Sequence, residues 1–245
     1  MASIDNHQTI YSTYSQNSGS ALLALLQVCD PALPIGGFAH SAGLETYVQQ
    51  GIVFDKATAQ SFVENMLREN LQYTDAAFLS LAYDATIIDD QQEILRLDKE
   101  CSAVKLPMEM RHASQKLGAR LLKIFQPLCK NRLLDAYQAA AQGKEYSGHY
   151  AIVFGMYAAI MGIAKKEALT GFYYNAAAGF VTNAVKLIPL SQQSGQEILF
   201  SLHPSIDQLA LHGMSPDRDL VGICCAGFDI RSMQHERLYS RLYMS

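Results

Sequence analysis

Residues 148–163 read GHYAIVFGMYAAIMGI, an apolar run broken by small side chains and one histidine. Gly155, Ala158, Ala159 and Gly162 recur along it, and residues that small let a neighbouring helix come close. The run is shorter than the roughly twenty apolar residues a membrane span needs, and no other stretch of the chain approaches that length. The segment therefore predicts helix packed on helix, with no membrane partner.

Helical spacing continues outward from it on both sides. Toward the C-terminus, a pattern carrying Phe172, Tyr173, Tyr174 and Phe180 predicts a long helix from Lys165 to Leu187, interrupted by Pro189. Ser191 opens SQQSGQEILFSL as another helix; a loop with His203, Pro204, Gly213 and Pro216 follows, and the last helices hold Leu220 to Cys225 and Ile230 onward. Toward the N-terminus, LCKNRLLDAYQAAAQG reads as a helix stopped by Gly143. PMEMRHASQKLGARLLKIF reads as a helix that opens at Pro107 and ends before Pro127. Between Phe54 and Tyr83 two helices bury Phe62, Met66, Leu67, Leu71, Phe78, Leu79 and Ala82, with Asp55 as a candidate cap. ALLALLQVC at 21–29 reads as a buried helix, because no Lys or Arg precedes it as a secretion signal requires. Residues 1–20 are polar and aperiodic, and they predict a disordered leader.

The chain of 245 residues, 49% of them hydrophobic, is long enough to bury a sizeable core and short enough for one domain, residues 21–245. Straight-chain residues outnumber β-branched runs, so the fold class is all-α, a single compact domain of about ten helices. A net charge of −4 with scattered Lys and Arg lacks the basic footprint of a nucleic-acid binder. Five cysteines without a Cys-x-x-Cys pair suit free thiols in a reducing, cytoplasmic setting.

Catalytic signatures are missing. The stretch DPALPIGGFAHSAGLE at 30–45 has glycines but no Lys followed by Ser or Thr, so it is no phosphate cradle. Neither H-E-x-x-H nor G-x-S-x-G occurs. His112 lies four residues after Met108 and reads as a surface or satisfied histidine, and the adjacent Cys224 and Cys225 read as small core residues. No set of ligands has metal-site spacing, so no metal site is expected, with only a transient nickel contact through His40 or Cys29 left open. The one enzyme reading uses Asp89, Asp90 and Glu93 as a Mg²⁺ holder for a diphosphate, but the second acidic cluster that chemistry needs is absent.

The tail, IRSMQHERLYSRLYMS, pairs Arg237 with Arg241, Leu238 with Leu242 and Tyr239 with Tyr243 at i, i+4. As a helix it is sticky over most of its circumference, with the residue types enriched where proteins meet. That pattern predicts a partner-binding element.

SRLYMS after MQHE, together with DPALPIGGFAHSAGLE, resembles the urease accessory protein UreF family. MEMRHASQKLGARLL at 108–122, HYAIVFGMYAAIMGI at 149–163 and AVKLIPLSQQSGQEIL at 184–199 resemble further family blocks in the same order. The resemblance covers roughly residues 21–245. It implies an all-helical homodimer with no catalytic residues and no cofactor. It also implies an adaptor that binds the UreD/UreH accessory protein and recruits the GTPase UreG, coupling GTP hydrolysis to nickel insertion into apo-urease. Carried over by motif, the partner-binding residues are Phe38, His40 and Glu45 in the opening stretch and Arg237, Tyr239, Ser240, Arg241, Leu242 and Tyr243 in the tail. Phe38 would supply an apolar anchor.

Overall fold

The structure is a computed structural model that describes residues 18–37, 40–142 and 146–243. Twelve α-helices and no strand occur among them. They are α1 (Ser18–Val28), α2 (Leu44–Gln49), α3 (Lys56–Asn65), α4 (Asp75–Ile87), α5 (Gln91–Val104), α6 (Met108–Phe125), α7 (Arg132–Gln142), α8 (Tyr150–Ile160), α9 (Lys165–Leu187), α10 (Gln192–Ser201), α11 (His203–His212) and α12 (Ala226–His235). A π-helical stretch, Met66–Leu71, continues α3.

The centre is α8, the helix of the opening quotation, whose residues Ala151 to Ala159 are all buried. It lies against α4 and α6. Gly155 is where α4 comes nearest, since a Cβ there would collide with the Leu79 carbonyl oxygen. Ile152, Phe154 and Met156 are completely buried, and burying side chains of this size contributes about 1.5–3 kcal/mol apiece. Around this pair, α9 carries Leu169, Phe172, Tyr173, Phe180 and Val181 on its buried side and packs on α3, α4, α10 and α11. The seven core positions expected between Phe54 and Tyr83 are all buried. Asp55 caps α3 through a reciprocal pair of bonds with Thr58.

A polar network ties the loop before α8 to its neighbours. Asp98 of α5, fully buried, accepts from the Tyr137 hydroxyl at 2.7 Å, Ser147 N at 2.7 Å and His149 N at 3.0 Å. The His149 ring lies between Ser102 Oγ at 2.8 Å and Ser114 Oγ at 3.1 Å. Burial pushes the His149 imidazole down to about 4, so it sits neutral between two hydroxyls that each donate or accept as required.

Several expectations need correction. The expected loop from His203 is α11, because Pro204 stands in the first turn, where its missing N–H costs nothing. Leu220 to Cys225 forms turns rather than a helix, and Cys224 is exposed with its Sγ 3.1 Å from Asp229 Oδ2. The helix at 21–29 is not buried all round. It lays Ala21, Ala24 and Val28 inward, and Leu25 and Cys29 face Gly171 of α9, while Leu22, Leu23 and Leu26 are 55%, 68% and 58% exposed. Leader residues 18–20 already belong to α1; residues 1–17 lie outside the described residues. No helix among the described residues is long and apolar enough to cross a membrane.

Candidate functional site

Three helix ends meet near the C-terminus. Glu45 lies in the first turn of α2, Glu109 in the first turn of α6 and His235 is the last residue of α12. Carboxylates at helix starts complement the helix dipoles. Gly43 makes the meeting of α2 and α12 possible: its φ is 77°, and a Cβ there would lie 2.8 Å from Ser232 Oγ. The chain arrives through Ala42, also at positive φ, and α2 starts at Leu44.

His235 is fully buried and bridges the two acids, with Nδ1 2.7 Å from Glu109 Oε2 and Nε2 3.3 Å from Glu45 Oε2. Each ring nitrogen of His235 thus faces a carboxylate oxygen. Glu45, with 6% of its side chain exposed, also takes the backbone N–H of Leu242 at 2.7 Å and of Tyr243 at 3.3 Å. Glu109 takes Arg241 Nη1 at 2.7 Å through its other oxygen. Gln49 Nε2 donates to the Ser240 carbonyl at 3.1 Å, and Gln50 bonds Gln234 and Arg231 of α12. The last described residues are thus fastened to their own domain by two carboxylates.

These bonds correct the expected tail helix. Helix α12 ends at His235, and residues 236–243 run as turns and bends. The amide N–H groups of Leu242 and Tyr243, which a helix would spend on carbonyls one turn back, go to the buried Glu45 carboxylate instead. Charge-assisted bonds of this kind are the stronger.

Of the expected partner-binding residues, the structure brings Glu45, Ser240, Arg241, Leu242 and Tyr243 into one site. His40 and Arg241 line a common basin with Glu109, His112 and Lys116. Tyr243 is buried, with its hydroxyl making no hydrogen bond among the described residues, and burial and Glu45 hold its phenol above the usual range. Tyr239 is fully exposed, Leu242 is 66% exposed, and Arg237 points to solvent. Phe38 lies outside the described residues. His40 holds the opening loop to α9 by accepting Asn183 Nδ2 on its carbonyl at 2.8 Å. Burial, then Lys116 and Arg120, depress its imidazole. Sequence reasoning missed Glu109 and His235; both stand inside blocks it quoted, but only the fold makes them neighbours.

The other candidates are placed elsewhere. Cys29 is a half-buried thiol pushed up to about 12 by burial, a poor form for a metal ligand. Asp90 caps α5 through Glu93 N at 2.9 Å, Glu93 is held by Arg96 and Asp89 pairs with Arg132. The acids of the diphosphate reading are therefore occupied by their own helix and its neighbour. Among the described residues no group of three or more His, Cys, Asp or Glu side chains is placed to hold a metal ion.

The UreF family model matches residues 53–203. A urease accessory protein UreF of Actinobacillus pleuropneumoniae serotype 5b (strain L20) is 50% identical over 222 residues, 91% of this chain and 98% of the relative. One of Haemophilus influenzae (strain ATCC 51907 / DSM 11121 / KW20 / Rd) is 50% identical over 91% of this chain and 94% of its own length. One of Sporosarcina pasteurii is 35% identical over 82% of this chain and all of its own. The chain belongs to the UreF family of urease accessory proteins.

Proposed function

We propose that the chain is a non-catalytic adaptor in urease maturation. It binds the UreD/UreH accessory protein, recruits the GTPase UreG, and so couples GTP hydrolysis to nickel insertion into apo-urease, which is its client. The observation that carries this reading is the tail: its backbone and Arg241 are fastened to Glu45 and Glu109, while Tyr239 and Leu242 are held out to solvent. Exposed aromatic and aliphatic side chains on a fixed backbone suit a binding surface, since little order has to be gained on contact. The same reading takes the chain as a cytoplasmic homodimer, and the exposed Leu22, Leu23 and Leu26 of α1 support an apolar contact between copies.

Copurification tests it. The full chain should hold the UreD-type partner, and the double variant Tyr239→Ala/Leu242→Ala should lose it while melting within about 0.5 kcal/mol of the unaltered chain, because neither side chain is buried. A double variant that still copurifies in full removes the tail from the docking surface.

A further inference from the structure

A cavity of about 280 Å³ lies between the opening loop, α6 and α9. Its walls are chiefly apolar, with Leu33, Ile35, Met110, Leu117, Phe172 and Phe180 among them. His40 and Ala113 line both this cavity and the basin beside Arg241 and Tyr243, so the two adjoin. The outer face of α6 carries His112, Lys116, Arg120 and Lys123, all exposed and spaced to share one side of the helix; His112 and Lys116 line the adjoining basin, and Arg120 donates to the carbonyl of Ile35 in the cavity wall. Lys116 and Lys123 form no ion pair among the described residues, and the one acid of α6, Glu109, is taken by His235 and Arg241. In a chain of net charge −4, this is a local concentration of positive charge beside an apolar hole.

We propose that this cavity is an anchor pocket that takes one apolar side chain from an acidic segment of the partner docking on the tail face. The inference rests on the docking role proposed above and adds the chemistry of what docks. The basic rim selects negative charge and speeds encounter, and the apolar hole holds the complex.

Gly179 allows a test that leaves the fold intact. It lines the cavity on α9, and a Cβ there meets nothing within 4 Å. Gly179→Leu therefore fills the cavity while replacing a helix-interior glycine by a better helix former, and it should melt no lower than the unaltered chain. Calorimetric titration of the UreD-type partner into the full chain should give an affinity within about twofold for Gly179→Ala, but at least about tenfold weaker for Gly179→Leu. Lys116→Glu/Lys123→Glu should bind about tenfold more weakly at low salt, with the gap closing as salt is raised. Gly179→Leu binding as tightly as Gly179→Ala overturns the pocket. Unchanged affinity and salt dependence in the lysine variant overturn the acidic occupant. An unaltered chain that binds no partner overturns the docking role itself, and this inference with it.

Discussion

Two buried histidines divide the molecule by function. His149 sits between two serine hydroxyls at the foot of α8, His235 between two carboxylates at the end of α12. Hydroxyls adapt to a neutral ring, so the first site needs no charge and serves the core. Carboxylates on both sides make the second site a charged junction, and its remaining oxygens reach outward to Arg241 and the tail amides. Both clusters are closed within the chain, but the first fastens one core helix to its neighbours and the second fastens the tail to three helix ends.

The largest expected effect breaks the scaffold side. Asp98→Ala orphans the buried Tyr137 hydroxyl, the buried His149 amide and the partly buried Ser147 amide, and urea unfolding should show a loss of about 3–5 kcal/mol. Next comes acid. The His149 imidazole titrates near 6.5 when unfolded and near 4 when folded, so between those values the unfolded chain binds more protons. Its contribution is complete above pH 6.5 and is lost as pH falls toward 4, amounting to roughly 3 kcal/mol. Unfolding curves of the chain and of His149→Gln across that window should converge at the acid end if the ring is the cause, and parallel curves would reject it. Glu45→Gln is smaller, about 1–3 kcal/mol, but it weakens the hold on Leu242 and Tyr243. Limited proteolysis should then clip the tail ahead of any cut in α8, and a tail as resistant as before would count against the attachment. Arg241→Ala should cost least, at most about 1 kcal/mol, because the pair is partly exposed.

The all-helical scaffold was largely legible in the sequence because α6, α8 and α9 announce themselves by period and breakers, down to Pro189 after α9 and the small residues of α8. The site was legible by half. Glu45 and the tail residues fell inside quoted motifs, yet their attachment spans a separation of nearly the whole chain, which no local pattern encodes. The tail's i, i+4 pairs describe a helix it does not form, since a buried acid outbids local hydrogen bonding. Leu22, Leu23 and Leu26 read as core because hydrophobicity says what can be buried, not whether a surface is there to cover it.

Glu45 grips Leu242 and Tyr243 by their amide hydrogens, and every residue but proline brings one of those. The hold is therefore indifferent to spelling at Leu242. Replacing the Leu242 side chain should leave the tail moored where it is.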